Sequence, residues 1–420
     1  MLRHRWTLPA LAALTLAAAG SAQAAVGFKT DTGWEASFDG FVNAFAVNQF
    51  ASDLPTGTNL APDLLSASTK DNTFRLRTGL LPGLFAFNAA APDFNGLKVK
   101  ARIGLYPQIQ TNQSRVIALG GGAGSVPAPA FGSQIDLREA FFTVDGGFGQ
   151  VLAGRALNLF QGKNILTDMT LFGVGVQGNA IGNGGTTAGR IGYGYNYTSF
   201  GAQFRYTTPD LSGFKLAVQV GDPNTIDGLL AGGPVYTDTR LPEVEAELSY
   251  AGKSGDTGFQ AWVSGLAQTN WLPATETSVT ALGGAGGLGV NFGGLELLGS
   301  GFYGQALGSF FMLQLDALDA VGKERTTWGA LGQAAYKAGS TKLGVSYGQN
   351  KIKETSDDAT KRAAGAVVGI DTRRSATAGL YHDVNAALKL VAEYTWVQTK
   401  WFDGTEHTSS LIALGGFVFW

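Results

Sequence analysis

Apolar and polar residues alternate with a period of two along most of this chain. Segment 97–106 is a clear example, because its odd positions are apolar whereas its even positions include Lys98, Lys100 and Arg102. Successive side chains of a β-strand point to opposite sides, so this pattern predicts a strand with one apolar and one polar face. No stretch sustains the 3.6-residue period of a helix. The alternation therefore indicates an all-β protein.

The same alternation recurs in about sixteen segments, separated by short turns such as 208–213 and by long links such as 156–189. A closed barrel leaves no unpaired sheet edge, which is how a β protein satisfies its backbone inside hydrocarbon. We therefore predict a transmembrane antiparallel β-barrel of about sixteen strands, uncertain by about two, with short periplasmic turns and long external loops. The predicted strands are 34–43, 73–80, 97–106, 135–144, 150–155, 200–207, 214–220, 243–250, 259–268, 280–292, 295–305, 327–337, 341–350, 375–383, 389–396 and 411–420.

The first 24 residues have the pattern of a secretory signal peptide. Arg3 and Arg5 precede an apolar run over 8–19, and Ala22-Gln23-Ala24 is a small-x-small cleavage site. The apolar run is too short to span a membrane as a helix. We expect residues 1–24 to be removed on export and residues 25–420 to form one domain, since no composition shift marks a boundary.

Composition agrees with a barrel. Only 15% of the residues are charged, against about 25% in soluble domains, as expected if half of each strand faces lipid. The 61 glycines fit bends and bulges in a curved sheet. The chain has no Cys, which excludes disulfides and thiolate metal sites, and its net charge of −2 argues against a nucleic-acid partner.

Four blocks of the sequence match motifs of one family: 37–44, 137–144 with 147–155, 204–214 and 412–420. Together they resemble the trimeric general porins of Gram-negative bacteria. The C-terminal segment 412–420 alternates apolar residues into a final aromatic and resembles the family's assembly signal, with Val418 and Trp420 as its members and Trp420 in place of the usual Phe. The resemblance implies a water-filled outer-membrane channel for passive diffusion of small hydrophilic solutes and ions. It also implies a homotrimer that contacts lipid and lipopolysaccharide and is recognised by the barrel assembly machinery.

The third long link, 156–189, resembles the family loop that folds into the barrel and narrows it. The similarity lies in Thr167-Asp168-Met169 and Phe172-Gly173. Asp168 then matches an acidic residue of the constriction. Residues 169–189 contain no further Asp or Glu, so the acidic side is weaker here and cation preference does not carry over.

The resemblance implies a basic wall opposite this loop, and the period of two places several basic side chains on the polar face of their strands. Three glutamates, Glu243, Glu245 and Glu247, form an acidic ladder that faces or neutralises this wall. Opposed charges across a narrow lumen create a field that influences selectivity, whereas each single charge could simply keep the lumen wet. We predict a weak anion preference that shifts toward cations when the first five basic residues are neutralised. The basic candidates are Arg75, Arg77, Lys98, Lys100, Arg102, Arg138, Arg190 and Arg205.

Other functions have less support in the sequence. A solute-selective channel for sugars or organic anions is the main alternative, followed by a barrel enzyme or adhesin. Residues 284–289 match G-x-G-x-x-G without a βαβ context, so they do not predict a dinucleotide site. His382 and His407 are a poor basis for a Ser–His site. We predict no catalytic residue, metal or cofactor, and conductance measurements would separate the alternatives.

Overall fold

The computed structural model describes residues 26–55, 71–109, 135–177, 186–365 and 369–420. These residues form two short α-helices, α1 (Gly162–Leu166) and α2 (Ser356–Ala363), and a 3₁₀ helix at Leu229–Ala231. No helix in the described ranges has the length and apolarity needed to cross a bilayer. The strands are β1 Val26–Lys29, β2 Glu35–Ala51, β3 Asp71–Arg77, β4 Leu84–Ala90, β5 Lys98–Pro107, β6 Ile135–Gly146, β7 Gly149–Leu157, β8 Phe200–Thr207, β9 Phe214–Gly221, β10 Ile226–Asp227, β11 Val235–Tyr236, β12 Glu243–Ser254, β13 Thr257–Trp271, β14 Ser278–Phe292, β15 Leu295–Gln305, β16 Thr326–Ala338, β17 Thr341–Ile352, β18 Ile370–Asp383, β19 Leu388–Trp401 and β20 Glu406–Phe419.

All strands except β10 and β11 belong to one antiparallel sheet that closes on itself. Closure is made by β20 and β2, with Phe41 opposite Phe419 and Ala51 opposite Ser409. β3 and β4 both pair with β2, one after the other, and together act as one interrupted strand. β1 pairs with β2 beyond the end of β20 and therefore occupies the same position in the barrel wall as β20. The barrel therefore has 16 strands, which confirms the predicted fold class.

The two faces of the wall are those that the alternation predicts. On β5, Val99 and Ile103 are 40% and 50% exposed on the outside, whereas Arg102 is 6% exposed on the lumen side. The outer surface is consequently apolar, and most polar side chains of the strands lie inside. An apolar band outside and a polar lumen are what a barrel in a bilayer requires.

The chain terminus completes the wall at the end that carries the short turns. Trp420 and Gly40 exchange two backbone hydrogen bonds, of 3.2 and 3.0 Å. The Trp420 ring lies 5.0 Å from that of Phe85 and 6.0 Å from that of Phe38, and Val418 is exposed on the outside. These contacts form an aromatic group of the kind that lies at a membrane interface.

Connections alternate between short and long, as predicted. The turn 293–294 consists of Gly293 and Gly294, whose φ angles of 54° and 89° favour glycine. At the opposite end, two long connections fold into the lumen: the described parts of 158–199, which are 158–177 with α1 and 186–199, and the connection 306–325. We call them the first inward loop and the second inward loop.

The wall is interrupted where the first inward loop reaches it. Between β3 and β4, residues 78–83 leave the strand conformation, and the N–H of Leu80 donates to the carbonyl of Gly173 at 2.9 Å. The side chain of Asn43 replaces a lost ladder bond by accepting from the N–H of Gly79 at 2.8 Å. The break thus gives the loop backbone a partner in the wall.

Candidate functional site

The first inward loop crosses the lumen and is held at its start by Glu245. This side chain points inward from β12 and accepts hydrogen bonds from the backbone N–H groups of Leu159 and Phe160 at 2.7 and 2.9 Å. Backbone groups of a buried loop need partners, and a carboxylate is a strong acceptor for two adjacent N–H groups. Glu245 therefore fixes the direction in which the chain leaves β7.

The rest of the acidic ladder also lies under this loop. Glu243 accepts from the Asn158 amide at 3.2 Å, and Glu247 lies 3.6 Å from the ammonium of Lys163 in α1. The ladder thus faces the first inward loop. The period of two in the sequence predicts that these glutamates face the lumen, but it does not predict their contacts.

A second carboxylate holds the loop on the other side of the barrel. Glu393 on β19 accepts from the N–H groups of Val174 and Gly175 at 2.9 and 2.7 Å and from the hydroxyl of Tyr381 at 2.7 Å. A Cβ added to Gly173 would lie only 1.9 Å from Glu393 Oε1. Only glycine permits this approach, which gives a physical reason for the Phe172-Gly173 similarity noted in the sequence.

Asp168 organises the interior of the same loop. Its carboxylate is 4% exposed and accepts from the Tyr195 hydroxyl at 2.6 Å, the Thr170 N–H at 2.8 Å and the Arg190 N–H at 3.1 Å. Burial raises the pKa of Asp168, and the bonds from Tyr195 and Thr170 partly oppose that shift. The carboxylate predicted for the constriction is thus turned into the loop.

Two predicted wall arginines also hold the first inward loop in place. Arg190 belongs to that loop and is fully buried, donating to the Ser375 hydroxyl at 2.5 Å and the Thr377 hydroxyl at 2.9 Å on β18. Arg77 on β3 donates to the carbonyl of Thr186 at 2.7 Å. Their positive groups therefore join the loop to the wall.

Arg205 on β8 lies under the start of the first inward loop. It is buried and donates to the carbonyl of Leu157 and, at 2.6 and 3.0 Å, to the side chains of Gln203 and Gln219. Sequence analysis grouped Arg205 with Arg190 and Arg77, but these three arginines contact different parts of the wall and loop.

The remaining predicted basic residues lie on the wall formed by β3, β5 and β6. Arg102 is paired with Glu139 at 2.8 Å and Asp39 at 3.1 Å. Lys100 lies 3.9 Å from Asp145. The side chains of Arg75 and Lys98 are exposed.

Arg138 occupies a β-bulge in β6. In the pairing of β5 with β6, Gly104 lies opposite Glu139 and Leu105 opposite Leu137, so Arg138 is the extra residue. A bulge redirects side chains, and here it lets two consecutive residues, Arg138 and Glu139, face the lumen. The strict alternation in the sequence could not predict this.

Arg138 lines a cavity of about 240 Å³ between the wall and the first inward loop. The guanidinium lies 5.3 Å from the centre of the Tyr106 ring and 5.7 Å from that of Phe200. In the described part of the first inward loop, the residues that line the cavity are uncharged and mostly apolar, including Ile165 and Ile191. The cavity is therefore mostly apolar on the side of the loop and charged on the side of the wall.

The second inward loop provides another side of this cavity. Phe310 and Phe311 line the cavity, and the Phe310 carbonyl accepts from the N–H of Tyr197 at 2.8 Å. The sequence predicts an external link here, although its apolar run 310–313 is a signal of an inward loop. An apolar run in an external loop has to find cover, and here it does so inside the barrel.

Buried ion pairs fasten the second inward loop. Arg325 at its end pairs with Asp358 of α2 at 2.5 Å, with both side chains under 10% exposed. Arg373 on β18 lies 3.6 Å from Asp316 and is 1% exposed. None of these four residues was a sequence candidate.

A closed barrel with an apolar outside and a lumen narrowed by its own loops defines a transmembrane channel protein. The profile of the family described as Gram-negative porin matches residues 10–401, so the chain belongs to that family. It is located in the outer membrane and forms a channel for passive diffusion.

Solved structures agree with this fold at low sequence identity. The outer membrane channel DcaP of Acinetobacter baumannii is 15% identical, with a TM-score of 0.66 over 94% of this chain and 99% of its own. The anion-selective porin from Comamonas acidovorans is 13% identical, with a TM-score of 0.58 over 92% and 100%. OmpF of Salmonella typhi in complex with daunomycin is 14% identical, with a TM-score of 0.54 over 94% and 100%. No curated protein sequence matches the chain.

Proposed function

We propose that the channel passes small hydrophilic solutes and ions with a weak preference for anions. The observation that carries this proposal is the position of the loop carboxylate. Asp168 is turned into the first inward loop, and the ladder glutamates are covered by that loop. The loop therefore presents little negative charge to the passage, although the family resemblance predicted an acidic side there.

The opposite wall carries several basic side chains, but Arg138 is paired with Asp136, and Arg102 is paired with Glu139 and Asp39. Arg138 faces the cavity, and Arg75 and Lys98 are exposed. The two carboxylates that line the cavity, Asp136 and Glu139, are each in contact with an arginine, at 2.9 and 2.8 Å. Low-dielectric walls focus the field of the remaining charge, but the number of uncompensated charges is small. A weak preference for anions over cations follows.

The test is the reversal potential of the channel in a planar bilayer under a salt gradient. We expect Arg138→Gln to shift the wild-type value toward cation selectivity, and Arg240→Gln, a matched loss of an exposed charge on loop 222–242, to leave it unchanged. An unaltered reversal potential in Arg138→Gln would contradict the proposed selectivity. Absence of any conductance from the folded barrel would contradict the channel itself.

Assembly and processing are further parts of the proposal. The family resemblance supports a homotrimer that contacts lipid and lipopolysaccharide, and the apolar outer face supplies the surface for these contacts. We infer that residues 1–24 are a removed signal peptide, which lies outside the described residues. Val418 and Trp420, at the closing strand, are the proposed recognition element for the barrel assembly machinery. The molar mass of the detergent-folded protein, measured by light scattering, tests the trimer.

A solute-selective channel is the second candidate. The observation that favours it is the large share of aromatic and aliphatic residues in the cavity lining, beside the pair Arg138–Asp136. A purely general channel has no need for an apolar surface at its narrow part. Saturable block of the ion current by one class of solute would support this candidate, and purely ohmic currents would favour the general channel.

A further inference from the structure

We propose that the second inward loop sets the size limit of the channel, and that Phe311 is the side chain through which it does so. The inference rests on the proposed function, because it concerns which hydrophilic solutes pass through the same lumen. It is carried by three features of this loop: the place of Phe311 in the cavity, the contacts that join the loop to the first inward loop, and the backbone conformation that holds it.

Phe311 lies where the two inward loops meet. Its side chain lines the cavity of about 240 Å³, together with that of Tyr197 from the first inward loop. The two rings are 6.1 Å apart at an interplanar angle of 83°, which is the edge-to-face arrangement that aromatic pairs prefer. Both side chains are partly exposed. Each loop therefore presents one ring to the cavity, and the two rings stabilise each other there.

Phe310 supports this position of Phe311. It is 5% exposed, and its ring lies 4.9 Å from the ring of Phe311. A Cβ added to Gly192 of the first inward loop would lie 2.4 Å from Phe310 Cδ2, so the two loops are in direct contact at this point. Because protein interiors are close-packed, the neighbouring ring leaves Phe311 little room to move away from the cavity.

One side chain of the wall fixes the distance between the two loops. Asn350 on β17 is 1% exposed. Its amide nitrogen donates to the carbonyl of Ser309 in the second inward loop at 2.8 Å and to Asn196 Oδ1 in the first at 2.9 Å. Its oxygen accepts from the N–H of Gly194 at 2.8 Å. A buried polar network whose members are paired makes a structure rigid, so Asn350 is a positioning residue for both loops.

The backbone of the second inward loop is held in an uncommon conformation. Ala306, Leu313 and Leu315 have φ angles of 52°, 67° and 68°, in the left-handed region that favours glycine. Residues with side chains stay there only where the surrounding structure holds them, and such strain clusters at functional sites. Asp227 of loop 222–242 accepts from the N–H of Leu315 at 2.7 Å, and its own N–H donates to the carbonyl of Leu313 at 3.1 Å. The loop is thus a fixed part of the channel.

The experiment measures the size limit with neutral probes in single-channel recordings of the full barrel. Polyethylene glycols of increasing size are added to both sides, and the smallest polymer that no longer lowers the conductance marks the limit. In Phe311→Ala, we expect this limit to move to larger polymers and the conductance in polymer-free salt to rise roughly 1.5-fold, because pore width controls both. Phe311→Trp should change both in the opposite direction. The reversal potential should stay at the wild-type value, since no charge is altered.

Two further variants separate a narrow part of the lumen from a general loosening of the barrel. Phe204→Ala is the matched control, because Phe204 is 70% exposed on the outer face of β8; it should leave conductance and size limit unchanged. Asn350→Asp keeps the size of the side chain but replaces its NH₂ donor by an acceptor. We expect a noisier open-channel current in this variant, because the two loops are no longer held at one distance.

The outcomes distinguish the inference from the proposed function. If Phe311→Ala keeps the wild-type size limit and conductance, or if Phe204→Ala changes them equally, the second inward loop does not limit the passage although the channel still conducts. A shifted reversal potential in Phe311→Ala would assign its effect to charge and overturn the steric role. Unchanged current noise in Asn350→Asp would overturn the positioning role of Asn350. If the folded wild-type barrel does not conduct, the proposed function fails instead.

Discussion

Removing the acceptor at Glu393 should release the first inward loop from the wall. In Glu393→Leu, the N–H groups of Val174 and Gly175 lose a carboxylate that now lies 2.9 and 2.7 Å away. A buried donor without a partner costs about 1–3 kcal/mol, so two donors cost about 2–6 kcal/mol. Leucine also avoids the desolvation cost of a buried carboxylate, so we use the lower end of this range, about 2 kcal/mol. At about 1.4 kcal/mol per factor of ten, the fraction of undocked loop should rise about 30-fold.

Amide hydrogen exchange of segment 171–177, measured by mass spectrometry on the folded barrel, reports this opening directly. Glu393→Leu should lose protection in that segment while β13 stays protected, and Gly173→Ala should act in the same direction because its Cβ would lie 1.9 Å from the carboxylate. Glu296→Leu is the control, since it removes a partly exposed carboxylate whose partner is Lys342, 2.9 Å away on β17. Unchanged exchange in Glu393→Leu would refute the view that Glu393 anchors the loop.

Two further predictions concern the other contacts of the inward loops. Arg325→Met leaves the buried carboxylate of Asp358 without its ion-pair partner, which costs about 3–5 kcal/mol. Limited proteolysis should therefore cut near α2 faster than in the wild type. The double variant Arg325→Met/Asp358→Leu should restore part of the resistance to proteolysis. If the single and double variants are cut equally, the ion pair has no role. The pKa of Asp168 is raised by burial, and a group with a raised folded pKa contributes stability that is present at low pH and lost as pH rises through that pKa. Exchange in segment 186–199, corrected for the intrinsic pH dependence of exchange, should therefore be slower in mildly acidic than in neutral solution, and Asp168→Asn should remove the difference. A pH dependence that persists in this variant would assign the effect to another group.

Much of the fold was predictable from the sequence because a period of two has a direct meaning in a strand. The predicted segments at 97–106 and 200–207 coincide with β5 and β8 to within a residue. The break between β3 and β4 was not predictable, since it depends on a backbone hydrogen bond from Leu80 to Gly173, a residue far along the chain. The second inward loop was also missed, because link length alone does not tell whether a loop turns outward or into the lumen.

The candidate site was predictable only in outline. Periodicity placed Glu245 and Arg205 on the lumen face, and both lie there. It could not tell that Glu245 binds the backbone of the first inward loop or that Arg205 lies beneath the start of that loop. Depth along the barrel and contact with a crossing loop are properties of strand register and loop path, and neither leaves a local signal in the sequence.

The sequence by itself determined the barrel, its apolar outer face and the resemblance to outer-membrane channels, because alternation and turn spacing are local properties that any closed sheet in lipid must have. Only the tertiary structure decided which charges meet the passage. Asp168 turns inward because the loop needs a buried acceptor for Tyr195, and Arg138 faces the cavity because one extra residue in β6 shifts the register there. Such choices depend on contacts between segments that are distant along the chain, and these form only when the barrel has closed.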